Sequence, residues 1–288
     1  MKGLIFMALL FSIPFFSFDS FGMGILKKTS SIRVQEIILH QGGPRLFSFP
    51  LLENMNGVKI VCEDKEIPFF IRKGKALAFF AVSYDHPETA FSCMYKTATG
   101  DIPLAKIKVW KKEFKKEFLN VPEKKIVLSD KDLKRAMKET EILNNVYKFT
   151  AALPYFESSF NLPVEARLSS TYGMQRIYNN GLKQNQHNGV DFRVSEGTVV
   201  KAANAGKVIF SGDLFFSGET VIIDHGIGIF TIYCHMSKRD VKDGDSLVRG
   251  QVIGLSGKTG RVSGAHLHWG VKINGVPVDG MDIARIPF

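Results

Sequence analysis

The chain has 288 residues, of which 45% are hydrophobic and 23% are charged, and its formal net charge is +10. This is the composition of a soluble globular protein, and it excludes wholesale disorder. Since domains usually have about 100 to 200 residues, the length allows two of them. The positive charge favours loose association with polyanions. No nucleic-acid-binding motif occurs, so we expect anionic polymers of the cell envelope rather than nucleic acid.

Residues 1–22 have the layout of a secretory signal peptide. Lys2 precedes an apolar stretch from Leu4 to Phe18, and small residues follow up to Gly22. The alternative is a membrane anchor, but the uninterrupted apolar run is shorter than the roughly 20 residues of a spanning helix. No later segment of the sequence looks able to span. We therefore expect the mature chain to be a soluble periplasmic or secreted protein without a transmembrane segment.

Residues 23–122 predict an antiparallel β-sandwich as the first domain. Short β-like runs alternate there with Gly, Pro, Asn and Asp, a pattern typical of such sandwiches. The clearest runs are Val34–Leu39, Val58–Cys62, Ala76–Val82 and Ala105–Trp110.

The sequence contains three cysteines, Cys62, Cys93 and Cys234. In an oxidising compartment, Cys62 and Cys93 could pair across two strands of the sandwich and leave Cys234 alone. Three buried thiols are the alternative, and the residues leave both open. No Cys-x-x-Cys spacing indicates a thiolate zinc site.

Residues 123–160 predict a helical linker between two domains. Ser129, followed three residues later by Asp132, is typical of a helix start. Apolar residues then recur at roughly helical spacing, namely Leu133, Met137, Ile142, Val146 and Phe149. The charged run Lys111–Glu117 upstream indicates a strand edge that lysines protect from further pairing.

Residues 161–288 predict a second domain, an antiparallel β-sheet built from hairpins. Five of the seven histidines lie in it. Turn signals separate its apolar runs, and they are Ala205-Gly206, Ser211-Gly212-Asp213, Asp224-His225-Gly226, Asp243-Gly244-Asp245 and Asn274-Gly275. The stretch Gly212–Gly218, with three apolar residues, could be either the wall of a groove or part of the core.

The segment from His187 to Asp191 offers a nitrogen and an oxygen donor four residues apart. Gly189 and the β-rich sequence after it argue against a helix, so we expect a turn at Gly189 to bring the two donors together. Neutral imidazoles and carboxylates are ligands of catalytic zinc, which uses three and leaves a fourth position for water. This pair alone is a weak signal.

A second segment contains His266 and His268, separated by Leu267. Two residues at i and i+2 on a strand project from the same face, which directs Leu267 to the core. Chance surface histidines are the alternative. Both imidazoles being neutral near pH 7 suits metal chemistry.

A third segment, Tyr233-Cys234-His235, ends an apolar strand and predicts Tyr233 and His235 on one face. By itself a lone histidine at such a place is more often structural than catalytic. His225, in an Asp-His-Gly turn, is also interpreted as structural.

Taken together, these segments resemble the M23 metallopeptidases, the LytM and lysostaphin-like zinc endopeptidases. The family pattern is HxxxD, then a His after a Tyr at a strand end, then HxH after a Gly-rich stretch. In this chain the same order is met by His187–Asp191, Tyr233–His235 and His266–His268. Flanking segments match as well, namely Ser170–Gly173 with Arg176, Gly250–Gly254 and Ser256–Gly260. The sandwich and linking helix look, more loosely, like the N-terminal region of exported Gram-negative members.

The resemblance covers about Leu168 to Asp279 and implies a role for each matching residue. It makes His187, Asp191 and His268 the ligands of Zn²⁺, and it makes His235 and His266 the catalytic pair. Two departures are mild, because Ala265 replaces a common Pro and Met236 a common Leu, and neither removes a functional group.

The resemblance also implies a function, the hydrolysis of peptidoglycan peptide cross-links by a zinc-activated water. Stem peptides would be the substrates, and the Gram-negative-like layout favours a D-alanyl-diaminopimelate bond over a glycine bridge. The alternative is a non-catalytic envelope protein on the same fold, which binds peptidoglycan or activates a partner hydrolase. Members of that kind typically lose ligands, whereas all five positions are present here.

Overall fold

The computed structural model describes residues 32–120 and 128–288, so the predicted signal peptide and the start of the predicted linker lie outside the described residues. The described residues belong to one compact unit, Ile32–Phe288. The fold is mainly β, as predicted. No helix among the described residues is long and apolar enough to cross a bilayer.

The N-terminal part contains nine strands. They are β1 Gln35–His40, β2 Pro44–Pro50, β3 Lys59–Cys62, β4 Lys65–Ile67, β5 Phe69–Arg72, β6 Lys75–Ala81, β7 Ala90–Thr97, β8 Gly100–Trp110 and β9 Lys116–Leu119. One sheet has the order β1-β8-β7-β3-β4 and another the order β2-β6-β5. Buried residues from both sheets, including Phe47, Ile60, Tyr95 and Ile107, form a shared core. This is the predicted sandwich.

One strand pair of the sandwich departs from the predicted antiparallel arrangement. β1 runs parallel to β8, with Gln35 opposite Ala105 and His40 opposite Trp110. Parallel neighbours need a long connection. Strands β2 to β7, which belong to both sheets, form this long connection between β1 and β8. The local sequence pattern does not reveal such a connection.

Cys62 on β3 and Cys93 on β7 lie directly opposite each other and form a disulfide. Both are fully buried. Of the two alternatives that the sequence left open, the structure has the disulfide. Cys234 is a buried free thiol, and burial raises its pKa to about 12, so it is inert as a nucleophile at neutral pH.

The predicted helix is α1, Asp130–Val146, and Ser129 is its N-cap. The Ser129 hydroxyl accepts a hydrogen bond from the Asp132 backbone N–H and donates one to the Asp132 carboxylate, as the spacing predicts. The predicted apolar stripe, however, is mostly solvent-exposed, with Met137 65% exposed. Arg135 of the helix donates a hydrogen bond to Asp213 on β15, and Glu139 accepts one from the Phe215 backbone N–H. The only buried residue of the helix is Ala136.

The C-terminal part contains twelve strands and a short helix. They are β10 Leu168–Ser170, β11 Gln175–Tyr178, β12 Lys183–Gln186, β13 Gly189–Phe192, β14 Val199–Lys201, β15 Gly206–Leu214, β16 Gly218–Asp224, β17 Ile229–Arg239, β18 Ser246–Leu247, β19 Val252–Ser256, β20 Leu267–Ile273, β21 Val276–Val278 and α2 Gly280–Arg285. A ten-stranded sheet runs β10-β13-β20-β17-β16-β15-β18, and β14, β19 and β21 pair beside this path. Its pairs are antiparallel, as predicted.

Most turn signals lie between strands, but the signal Ser211-Gly212-Asp213 lies within β15. The hairpin continues until Leu214 pairs with Gly218, so its turn is at residues 215–217. A Cβ at Gly212 would meet the Phe210 ring at 2.8 Å. This glycine therefore serves side-chain packing rather than a turn.

A three-stranded sheet with the order β12-β11-β9 joins the N-terminal and C-terminal parts of the chain. In it, β9 runs parallel to β11, and β11 also pairs with β12. β9 is an edge strand, as the lysine-rich run predicts. The halves also share buried side chains, since Phe70 and Phe79 belong to the same core cluster as Phe192 and Trp269. The domain boundaries at residues 122 and 161 remain predictions.

Candidate metal centre and active site

The three predicted zinc ligands converge on the ten-stranded sheet. Asp191 on β13 lies directly opposite His268 on β20, and His187 lies two residues before the first residue of β13. The Asp191 Oδ1 atom is 3.0 Å from His187 Nε2 and 2.9 Å from His268 Nδ1. The two nitrogens are 3.0 Å apart. Three donor atoms therefore surround one point.

This donor set fits zinc. Tetrahedral zinc with bonds of about 2.0 to 2.1 Å holds its donors about 3.3 Å apart, close to the separations seen here. The His187 Nδ1 atom lies 3.0 Å from the Thr171 carbonyl oxygen. A carbonyl only accepts, so Nδ1 carries the proton and Nε2 presents its lone pair to the other donors. His187, Asp191 and His268 would hold the ion.

Gly189 is the first residue of β13 rather than the centre of a turn, so that prediction was wrong. A Cβ at this position would meet the Trp269 carbonyl oxygen at 2.5 Å and the His268 imidazole at 2.8 Å. β13 and β20 can therefore approach closely only when residue 189 has no side chain. The strand pairing, not a turn, brings Asp191 to His268.

Replacing Gly189 by Ala should therefore displace His268. We expect zinc affinity to fall at least about tenfold, comparable to losing a group that orients a ligand, and the free energy of unfolding to fall by about 1–3 kcal/mol through overpacking. Chelator competition and urea unfolding measure the two effects. Gly264→Ala is the matched control, because its Cβ would meet nothing within 4 Å. Equal zinc affinity of the two variants would contradict the explanation.

The Asp191 carboxylate is held ionised. Burial alone would raise its pKa, but the neighbouring imidazoles of His187 and His268 outweigh burial and keep the pKa well below its usual range. The second carboxylate oxygen, Oδ2, lies 3.6 Å from the Arg176 guanidinium. Arg176 is itself paired with Glu117 on β9, at 3.2 Å. Both arrangements favour a charged, oriented ligand.

His235 reaches the site through an unusual backbone conformation. Its φ is +62°, in the left-handed region, and the pairing of β17 with its neighbours shifts register here. Tyr233 is fully buried in the core, whereas the His235 ring lies 4.8 Å from that of His266 and 6.1 Å from that of His268, centroid to centroid. The prediction that Tyr233 and His235 share a face was therefore wrong, because this bulge re-aims the histidine.

The His235 imidazole is neutral. Burial and the neighbouring His268 and His266 lower its pKa to about 3. Its Nδ1 lies 3.0 Å from the Thr259 carbonyl oxygen and so donates to it. The bare Nε2 can accept a proton.

His266 completes the group. Its Nδ1 lies 2.9 Å from the Gly264 carbonyl oxygen, and its Nε2 lies 3.8 Å from Asp191 Oδ1. Leu267 is fully buried, as the strand alternation predicts. His266 and His235 thus form a pair of basic nitrogens beside the donor cluster, positioned for general acid–base chemistry.

His225 is structural, as its sequence context suggested. The ring is fully buried, with Nδ1 2.7 Å from the Ala205 carbonyl oxygen and Nε2 2.7 Å from Thr231 Oγ1. Burial lowers its pKa from 6.5 to about 4.

The His225 pKa predicts acid sensitivity of the fold. Between pH 6.5 and about 4 the unfolded chain binds this proton and the folded chain does not. Stability is therefore complete above pH 6.5 and declines as the pH falls, by on the order of 3 kcal/mol. Urea unfolding at pH 7.5 and 4.5 measures the decline. The decline should be smaller in His225→Gln, and an equal decline in this variant would rule out His225 as its source.

Sequence reasoning missed the part played by Glu117. The residue lies in a charged run that reads as a solvated strand edge, and its partner Arg176 is 59 positions away. Only the parallel pairing of β9 with β11, which places Glu117 opposite Arg176, brings them together. The motif around Arg176 was recognised, but no local signal indicated its partner.

Comparison with known proteins identifies the family. Residues 185–280 match the profile of Peptidase family M23. Peptidoglycan DD-endopeptidase ShyA of Vibrio cholerae is 41% identical over 127 residues, which are 43% of this chain and 29% of that protein. DD-carboxypeptidase/endopeptidase Mpg of Neisseria meningitidis is 37% identical over 131 residues, 44% of this chain and 30% of that protein.

These matches span less than a third of the length of either curated relative. A crystal structure of a candidate M23 peptidase from Pseudomonas aeruginosa is similar over much more of the chain. It has 32% sequence identity and a TM-score of 0.66, and the match covers 85% of this chain and 94% of that one. The chain therefore belongs to peptidase family M23.

Proposed function

We propose that this protein is a zinc endopeptidase that hydrolyses peptide cross-links of peptidoglycan in the periplasm or outside the cell. The observation that carries the proposal is the convergence of two imidazole nitrogens and one carboxylate oxygen within 3.0 Å of one another. Two further histidines with free Nε2 atoms lie beside them. A purely structural metal site would have no use for that pair.

The chemistry divides between the ion and the side chains. A bound zinc ion would lower the pKa of water and polarise a peptide carbonyl. His187, Asp191 and His268 would hold it; the hydrogen bond from His187 to the Thr171 carbonyl and the ion pair of Asp191 with Arg176 would keep these two ligands oriented.

His235 and His266 move the protons. Each has its Nδ1 fixed against a backbone carbonyl, which leaves the lone pair of Nε2 directed away from that carbonyl. Such a nitrogen can accept a proton from the attacking water and deliver one to the departing amine, and the protonated ring can stabilise negative charge on the carbonyl oxygen. We assign these steps to the pair together.

The substrate we propose is the D-alanyl-diaminopimelate cross-link between stem peptides. The relatives from Vibrio cholerae and Neisseria meningitidis, a DD-endopeptidase and a DD-carboxypeptidase/endopeptidase, support a bond of this stereochemistry. The Cys62–Cys93 disulfide supports an oxidising compartment outside the cytoplasm. The net charge of +10 suits an anionic envelope.

The test is to measure zinc content and cleavage together. Purified protein comprising residues 23–288 should bind about one zinc ion and release soluble peptides from sacculi, and mass spectrometry of the muropeptides should show D-alanyl-diaminopimelate bonds broken. Chelation should stop the release and zinc should restore it. A protein that binds zinc but cleaves neither sacculi nor cross-linked muropeptides would instead be a peptidoglycan-binding or hydrolase-activating protein.

A further inference from the structure

A loop beside the site, Gly257–His266, is attached to both proposed catalytic histidines. The Thr259 carbonyl oxygen accepts a hydrogen bond from His235 Nδ1, and the Gly257 carbonyl oxygen accepts one from the His266 backbone N–H at 3.2 Å. We call this segment the rim loop. These two hydrogen bonds fix the position of the rim-loop backbone relative to both histidines.

We propose that Arg261, on the rim loop, is a specificity-determining residue that binds a carboxylate adjacent to the scissile amide of the peptide. The inference rests on the proposed function and deepens it. Arg261 would favour a scissile amide whose nitrogen is attached to a carbon with a free carboxylate over an amide within a glycine bridge.

The rim loop is held against the turn between β15 and β16. The Arg261 backbone N–H donates to the Phe216 carbonyl oxygen at 2.9 Å. Cβ atoms at Gly218 and Gly260 would each come within 2.4 Å of the opposite backbone, and both glycines have positive φ. Two backbones therefore meet where neither carries a side chain. This contact fixes the place of Arg261 before any ligand binds.

Polar contacts hold the same junction. The Thr259 hydroxyl accepts from the Glu219 backbone N–H at 2.9 Å and donates to the Met236 carbonyl oxygen at 2.7 Å. Glu219 and Met236 belong to β16 and β17, so the rim loop is tied to the sheet. The backbone position of Arg261 is therefore determined by these contacts with the sheet.

The Arg261 guanidinium lies over the Phe216 ring, 6.0 Å from its centroid, and the Phe216 side chain is 46% exposed. Across residues 32–120 and 128–288, no carboxylate lies within 4.0 Å of this guanidinium. Its loop neighbour Lys258, by contrast, is paired with Glu196. A guanidinium beside an aromatic face, without a carboxylate partner of its own, presents a planar fork of donors that suits a carboxylate bound through two hydrogen bonds.

The chemistry of the proposed substrate supplies such a group. In a D-alanyl-diaminopimelate cross-link, the carbon that bears the amide nitrogen also bears a free carboxylate. This carboxylate is two bonds from the nitrogen that leaves. It must therefore lie near the histidines that deliver the proton, and Arg261 belongs to the loop that is hydrogen-bonded to both of them. An internal amide of a glycine bridge has no carboxylate at this place.

The experiment compares two cross-linked muropeptide dimers, one with the free carboxylate and one with that carboxylate amidated. For Arg261→Ala we expect kcat/KM on the free dimer to fall by about ten- to hundredfold, as when a charged hydrogen-bond partner is removed. The wild type should lose a similar factor on the amidated dimer, and the variant should lose no more. Arg261→Lys should recover part of the loss, and Lys258→Ala should resemble the wild type on both dimers.

Binding of the same dimers to zinc-free protein separates this inference from the proposed function. If the wild type prefers the free dimer and Arg261→Ala does not, the inference stands even when nothing is cleaved. If cleavage occurs but Arg261→Ala affects both dimers equally or neither, the inference is overturned and the hydrolase remains. If there is neither cleavage nor a preference in binding, both are overturned. Zinc content equal to the wild type shows that the variant is folded.

Discussion

Replacing Asp191 by Ala is expected to abolish zinc binding and, with it, peptide cleavage. Asp191 contacts both ligand imidazoles, at 3.0 and 2.9 Å. Its removal takes away the negative charge of the donor set and leaves Arg176 facing two imidazoles without a carboxylate between them. Loss of an orienting neighbour typically costs ten- to hundredfold in metal affinity, so loss of a ligand should cost well over a hundredfold.

Zinc titration against a competing chelator measures this loss, and His187→Ala should show it as well. The matched control is His225→Gln, which changes a histidine of the same domain that has no place in the donor cluster. It should keep zinc affinity within a few fold of the wild type. If Asp191→Ala held zinc as tightly as this control, the assignment of the ligands would be wrong.

Replacing His235 or His266 by Ala should have the opposite signature, retained zinc and lost cleavage. Both rings are anchored on backbone carbonyls of the rim loop, and neither belongs to the group of three donors that can hold a metal. Positioned acid–base groups contribute about 10²- to 10⁴-fold to rate. We expect kcat to fall by that factor while the zinc content stays near one per chain.

The two sets of variants test the division of roles when they are assayed side by side. Equal loss of metal in His187→Ala, Asp191→Ala, His235→Ala and His266→Ala would show that the histidines form one ligand set. Retained cleavage in His235→Ala would remove that residue from the proton chemistry. The left-handed backbone at residue 235 makes a further check advisable, so the free energy of unfolding should be measured for that variant.

Features that depend on near neighbours in the sequence were predictable. The cap of α1 at Ser129 and the inward direction of Leu267 follow from spacing alone, and the structure has both. Spacing also singled out His187, Asp191 and His268, and the structure brings their side chains together, while their roles remain predictions. Residue spacing alone favoured a structural role for His235. Only the family resemblance implied a catalytic role for this residue.

Features that depend on distant parts of the chain were not predictable. The alternation rule placed His235 on the wrong face, since it assumes regular strand geometry and the bulge breaks it. The role of Gly189 depends on the carbonyl of Trp269, 80 positions away in sequence but adjacent across two strands. The parallel pairing of β1 with β8 likewise depends on chain paths that no local pattern records.

The pairing of β9 with β11 bears on how this protein can be divided. A fragment that begins at residue 161 would keep β11 and β12 but lose β9. In the intact chain, β9 pairs with β11 along Gln175–Tyr178. The backbone groups that β9 satisfies would then form a bare edge, and bare edges invite pairing with other chains. Arg176 would at the same time lose Glu117. Excising residues 161–288 alone would thus produce a molecule more prone to self-association, with an altered charge balance beside the donor cluster.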